Sequence, residues 1–380
     1  MNFDFTEEQR LLRDSVERFA QTFKVSGQHP LQRLWRGLAE LGVLGLPFAE
    51  EDGGFGGSPI ETMIVMEAIG GGLLRAPYLT AVALCGTLLR CSGTDRQRRE
   101  LIPGIAGGTT LLAFAHQEPQ ARYDLADVVT SASQEAGGWV LNGVKCGVVA
   151  GDTADLLIVS ARTHHDRYHH DGLRLFLVDP ETKGVSRRGY VGLDGLAGAD
   201  VSFDEVRIGP DALLGRHAEA YGIIENAVDV ALAASFAESV GIMQAMLNET
   251  VAYLKTRSQF GKKIGEFQAL RHRAVEMLIA TEQARSMAIF AAARVAAEDA
   301  QERRRAVSGA KVQISQALRF VSQWAVQLHG GLGVTEECII GPYFKRATAL
   351  EPFFGDFEHH LASLADAGGF IEPESMGTAE

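Results

Sequence analysis

The chain has 380 residues, 46% hydrophobic and 22% charged, the balance of a globular protein with room for two or three packed units. A formal charge of -12 speaks against a nucleic-acid backbone as the main partner, but leaves room for a small anion held by a local basic cluster. Cys85, Cys91, Cys146 and Cys338 form no CxxC pair and read as free thiols of a reducing compartment. No signal peptide and no uncharged apolar stretch of about 18 residues is present, so the chain reads as cytoplasmic, without a membrane span.

Residues 1–110 read as a helical domain. In "FTEEQRLLRDSVERF", Thr6 and Gln9 make a capping box, and Leu12, Val16 and Phe19 follow at helical spacing. "PLQRLWRGLAELGVLGLP" is a second helix ended by Gly and Pro, "IETMIVMEAIGGGLL" a third and "TDRQRRELIPGIAGG" a short fourth. The glycine-rich "EEDGGFGGSP" lacks the preceding strand and the lysine of a P-loop, and reads as a connecting loop.

Residues 111–212 change period. "TTLLAFAHQ", "GGWVLNGVKCGVV", "ADLLIVSART", "GLRLFLVD" and "ADVSFDEVRI" are strand-like, with no helix between them, as in an antiparallel barrel or sandwich. Leu173, Leu175 and Leu177 alternate with Arg174, Phe176 and Val178, which predicts cover on both faces. Asn142–Gly143 has turn chemistry.

Residues 213–380 are helical again. Leu232, Phe236, Val240, Met243, Leu247, Val251 and Leu254 step by four and three along one long helix, about 219–256. Further helices near 264–298, 302–329 and 339–366 complete a four-helix bundle. The fold class is therefore α+β: helical domain, central β-barrel, four-helix bundle.

Four stretches carry chemistry-bearing residues. "HHDRYHH", His164 to His170, lies between two strands with no nearby carboxylate cluster to complete a metal site, and reads as a solvated hairpin tip. Arg257, Lys262 and Lys263 gather at a helix end, where they either bind an anion or complement the helix dipole. Gly330 and Gly331 in "QLHGGLGVTEE" either stop a helix or let a ligand approach the backbone. "ALEPFFGDFEHHL" crowds Glu351, Asp356, Glu358, His359 and His360 together, yet reads as the start of a surface helix, with Asp356 suiting its N-terminal dipole.

"RSQFGKKIGEFQ", followed by "QLHGGLGVTEE", resembles the acyl-CoA dehydrogenase family, and "FTEEQRLLRDSVERFA", "LGVLGLPFAEEDGGFGG" and "GGWVLNGVKCGVVAGDTADLLIVSART" fit it in order. The resemblance covers essentially the whole chain. More narrowly, "HQEPQARYDLADV", "GVSRRGY" and "FGDFEHHLA" are similar to the small-subunit branch of two-chain pimeloyl-CoA dehydrogenases. The resemblance implies α,β-dehydrogenation of an acyl-CoA thioester with FAD, an electron-transfer flavoprotein as acceptor, and one FAD site built by two subunits. It implies that Arg257, Phe260, Gln268, Gln327, Gly330 and Gly331 hold the diphosphate and adenosine of a neighbour's FAD. A guanidinium pairing with a diphosphate and a double glycine permitting close approach agree with that.

Other positions depart from the family. Gln117-Glu118-Pro119 and Arg122-Tyr123-Asp124 stand for Thr-Glu-Pro and Gly-Ser-Asp, and Gly147-Val148-Val149 for the Trp-Ile-Thr under the flavin. A ring platform and a hydroxyl are thereby missing. Phe354 stands where most members keep the catalytic glutamate, and Ala231 where a second group keeps it. Neither can act as a base, so no catalytic residue is assigned; Asp356 and Glu238 are the nearby carboxylates. Three readings follow. The chain is a subunit that donates part of an FAD site to a second acyl-CoA dehydrogenase chain, a self-associating enzyme with a displaced base, or a non-catalytic assembly protein of the same fold.

Overall fold

The computed structural model describes residues 5–26, 30–215 and 220–368. The chain divides into two compact units, one of Met1–Gln28, Pro59–Leu74 and Leu232–Glu380, the other of His29–Ser58 and Arg75–Ala231.

The first unit is helical. Its α1 (Glu7–Ser26) begins at the predicted capping box: Gln9 N donates to Thr6 Oγ1 at 3.2 Å and Thr6 N to Gln9 Oε1 at 3.0 Å. The unit includes α3 (Pro59–Gly72), which packs on α1, and all of α6 (Ala220–Thr256) from Leu232 onward. In α6 the predicted seam is real: Leu232, Phe236, Val240, Met243, Leu247 and Leu254 are buried, and Val251 half-buried. Two glycines let α3 and α6 touch backbone to backbone. A methyl on Gly70 would stand 2.1 Å from Glu238 O, and one on Gly241 2.0 Å from Glu67 O. By length and composition α6 could cross a membrane, but 83% of its most apolar window is buried inside the fold, as in a core helix.

The unit continues with α7 (Gln268–Arg294) and α8 (Ala300–His329), the latter capped by Asp299, which accepts from Gln301 N at 2.8 Å. The single helix expected near 339–366 is two, α9 (Ile340–Leu350) and α10 (Phe357–Asp366). The break is a turn in which Phe354 takes φ 46° and Gly355 φ 121°, values that no helix accommodates. Asp356 then caps α10, accepting from His359 N at 2.9 Å, in the N-terminal role expected of it.

The second unit is built on a curled seven-stranded sheet: β1 (Leu112–Ala115), β2 (Ser131–Glu135), β3 (Gly138–Val149), β4 (Leu156–Arg162), β5 (Leu173–Val178), β6 (Val185–Val191) and β7 (Ala197–Ile208). The order is β1-β4-β2-β3-β7-β6, with β5 paired to β4. Pairing is antiparallel except that β1 and β2 run parallel to β4, the second by a single residue pair. Leu141, Leu157, Val159, Phe176, Val201 and Phe203 are among its core. With them go α2 (Leu31–Glu40), a π-turn (Leu79–Leu84) running into α4 (Cys85–Ser92), and α5 (Asp95–Ala106).

Asn142–Gly143 is not a turn. β3 runs straight through it, and the ladder slips between Leu141 and Gly143 in a bulge. Gly143 is needed there because a methyl would meet Thr130 Oγ1 at 2.4 Å.

Candidate functional site

At the end of α6 the chain makes a two-residue turn between β8 (Ser258–Gln259) and β9 (Lys262–Lys263), with Phe260 at φ 55° and Gly261 at φ 79°. Beside it α8 ends at Gly330, whose φ 58° and ψ -142° suit glycine alone, and a short 3₁₀ helix (Gly330–Val334) follows. Between these ends lies an open groove of about 750 Å³, whose lining includes Tyr253, Arg257, Trp324, Gln327, Gly330 and Gly331. His329, also in the lining, stacks on Tyr253 at 4.5 Å and is fixed by Ala325 O at 2.8 Å from Nδ1. A methyl on Gly330 or Gly331 would meet nothing within 4 Å, so both glycines face open space.

The cations here are not equivalent. Lys263 Nζ donates to Thr256 O at 2.7 Å, Lys262 lies over the Phe267 ring at 4.3 Å, and Arg273 over Trp324 at 3.8 Å. Among the described residues, the Arg257 guanidinium has no acceptor. Of the six predicted residues, Arg257, Gln327, Gly330 and Gly331 line the groove. Phe260, 90% exposed on the hairpin tip, and Gln268, exposed at the start of α7, are not in its lining. The aromatic wall of Tyr253, Trp324 and His329 was not foreseen; an unpaired guanidinium, bare glycines and aromatic rings together suit an anionic group attached to a planar one.

The two positions assigned to a base carry none. Ala231 is fully buried and Phe354 half-buried. Both oxygens of Glu238, 3% exposed, are held by Arg346 at 2.6 and 2.9 Å. Asp356 is engaged as the cap of α10. The turn around Phe354 is nevertheless tightly built. Lys311 Nζ donates to Leu350 O at 3.0 Å and Phe353 O at 3.3 Å. His360 joins Phe354 O at 3.0 Å to Ser308 Oγ at 3.1 Å. Burial pushes Lys311 down to about 7, against the pull of Asp356, and His360 to about 3, with Lys311 adding to the effect. His360 is thus a core histidine rather than a surface one.

In the sheet unit, residues 117–130 are closed on themselves. Glu118 accepts from Lys145 Nζ at 2.7 Å, Val129 N at 2.9 Å and Thr130 N at 3.0 Å. Burial alone would raise its pKa, but the Lys145 ammonium holds it below the usual carboxylate range. Gln117 donates to Arg122 O, and Asp124 accepts from Ala126 N at 2.9 Å. Gly147 sits at a second bulge of β3 with φ 65°, left-handed backbone that a tryptophan would adopt only under strain. Its N–H points at Asp200 Oδ1, 3.4 Å away. The histidines at 164–170 occupy the β4–β5 hairpin, as expected. Arg162 pins that hairpin by donating to the carbonyls of Ala126, Val128, Arg167, His169 and Asp171. Among the described residues no His, Cys, Asp and Glu side chains converge as a metal ion requires.

Three family models match in succession: acyl-CoA dehydrogenase N-terminal domain over residues 6–109, middle domain over 113–206 and C-terminal domain over 221–369. A probable acyl-CoA dehydrogenase of Mycobacterium tuberculosis is 30% identical over 311 residues, 80% of this chain and 79% of its own length. A subunit of the caffeyl-CoA reductase-Etf complex of Acetobacterium woodii is 28% identical over 347 residues, 88% of this chain and 90% of that one. The structure of butyryl-CoA dehydrogenase from Megasphaera elsdenii superimposes with a TM-score of 0.87 at 25% identity, covering 97% of this chain and 99% of that one.

Proposed function

The chain belongs to the acyl-CoA dehydrogenase family, and on that premise we propose that it is the partner-dependent subunit of an FAD-dependent, heteromeric enzyme dehydrogenating an acyl-CoA thioester between its α and β carbons. In this reading Arg257, Gln327, Gly330 and Gly331 take the diphosphate and adenosine of FAD, with Phe260 and Gln268 at the margin. The flavin ring, the thioester and the base belong to the partner chain. FAD, when bound, supplies hydride acceptance; this chain's own groups bind and orient its charged end.

One observation carries the proposal: an open groove with an unpaired guanidinium and two bare glycines persists in a chain whose base positions are Phe354 and Ala231. Arg257 can meet a diphosphate bidentately, and the glycines let it approach the backbone. The two carboxylates weighed as substitutes for a base are already engaged, Glu238 by Arg346 and Asp356 by α10.

The finer assignments rest on the resemblance to pimeloyl-CoA dehydrogenase small subunits and on the relative found in an Etf complex. They are a dicarboxylyl-CoA substrate and an electron-transfer flavoprotein as acceptor.

The test is to purify the chain alone and together with a longer acyl-CoA dehydrogenase chain that carries a bundle-helix glutamate. We expect a colourless, inactive protein alone, and flavin absorbance with turnover in the pair. Full FAD occupancy and turnover by the chain alone would defeat the proposal in favour of a self-sufficient enzyme. Intact assembly without flavin in any pairing would leave a non-catalytic assembly role.

A further inference from the structure

The bare glycine at 147 leaves a place on the sheet where the resemblance puts an aromatic platform, and an aromatic ring lies beside it all the same. β6 runs antiparallel to β7 with Tyr190 opposite Gly198, and Gly198 is opposite Val149 on β3. The three form one row across three strands. A methyl on Gly198 would stand 3.4 Å from Tyr190 Cε2 and 3.6 Å from Cζ, so the tyrosine ring lies on this bare glycine. Ionisation of its phenol is opposed first by burial, then by Asp200 and Cys146, and favoured by the Gly147 N–H and Arg188. The side chain is 43% exposed, consistent with one face against backbone and the other toward solvent.

The polar groups are taken as well. Asp200 Oδ1 faces the Gly147 N–H, and Asp200 Oδ2 binds Arg188 Nη2 at 2.6 Å. We propose that Tyr190 occludes the flavin-ring position of this sheet, with Asp200 engaging the Gly147 N–H beside it. This rests on the partner-dependent reading and gives it a physical agent: a methyl on Gly147 itself would meet nothing within 4 Å, while the tyrosine ring covers the neighbouring row of Gly198 and Val149. A flavin ring entering here must swing Tyr190 off Gly198 and compete with a carboxylate for one N–H. The carboxylate also opposes any negative charge gained by a ring beside it.

The test uses the full-length chain, titrated with lumiflavin, which is the ring without ribityl or diphosphate, and in parallel with ADP, which probes the groove alone. Wild type and Tyr190→Phe should leave lumiflavin fluorescence unquenched. Tyr190→Ala should quench it at concentrations about tenfold or more below any that affect the wild type, because no ring then has to be displaced. ADP affinity should be equal in all three. Tyr190→Thr, whose branched side chain suits an edge strand, carries the same expectation if alanine weakens β6. Lumiflavin binding by wild type that is lost in Tyr190→Ala would make the tyrosine a platform and overturn occlusion. Failure of both Tyr190→Ala and Tyr190→Thr to bind would overturn it too. Neither result touches the partner-dependent reading while the wild-type chain alone shows no turnover. Turnover by the wild type alone would remove that reading whatever lumiflavin does.

Discussion

In the proposed reading the bundle groove takes the charged end of FAD and the Gly147 face of the sheet is where its ring would lie, and the two differ in what they offer. The groove has a guanidinium without an acceptor among the described residues and two glycines fronting open space. The sheet face has no ring at 147, a valine at 149, and its remaining donor turned toward Asp200. Binding the charged end of a cofactor and holding its reactive ring are separable tasks. A chain can keep the first and discard the second when the two ends of one ligand rest on different subunits.

The comparison can be broken most forcefully at Glu238. If it is structural, Glu238→Ala removes the carboxylate that holds the half-buried Arg346 at 2.6 and 2.9 Å and should cost about 3 kcal/mol in chemical denaturation. Most of that should return in Glu238→Ala/Arg346→Met. A variant that keeps its stability but loses turnover would instead make Glu238 a displaced base. Next in size is Arg257→Ala, expected to weaken ADP binding by about 2 kcal/mol, roughly thirtyfold, with the difference shrinking as salt rises. Unchanged affinity would mean that Arg257 only complements the end of α6. Gly330→Ala should lower stability by about 1–2 kcal/mol through its backbone angles, in a thermal melt; a neutral result would say that the end of α8 relaxes freely. The last signal is read as a slope, small at any one pH step. The unfolded chain keeps the Lys311 proton to about pH 10.4, whereas burial lets the folded chain release it near 7. The unfolded state therefore binds more protons between these limits, and folding stability rises with pH there, on the order of 1 kcal/mol per unit. Lys311→Met should flatten that slope in melts across the alkaline range.

Legibility followed the range of the signal. The Thr6–Gln9 box and the seam of α6 are local patterns, and both are present. β2 and β6 escaped because they are largely exposed, polar strands with little hydrophobic alternation. The run from Leu79 to Ser92 escaped for the opposite reason: nearly every residue is buried, so no polar face marks its period. Asn142–Gly143 misled because the same dipeptide serves a bulge. Of the candidate groove, four residues could be placed through the resemblance. Tyr253 and Trp324 could not, since their helices meet only in the fold. Glu118–Lys145 and Glu238–Arg346 join residues too far apart in sequence for any spacing rule to pair them.

The turn at Phe354 and the bulge at Gly147 differ in how readily history could run backwards. The turn's shape is stored in Lys311, Ser308 and His360, none of them at position 354, so the residue there can change while the backbone stays. At Gly147 the shape lies in the backbone itself, at φ 65° with a bulge in the ladder around it. An acid could enter the turn by exchange of one side chain. A tryptophan at 147 would have to take up that left-handed backbone at a cost of about 1–3 kcal/mol, so the sheet position resists exchange more than the turn does.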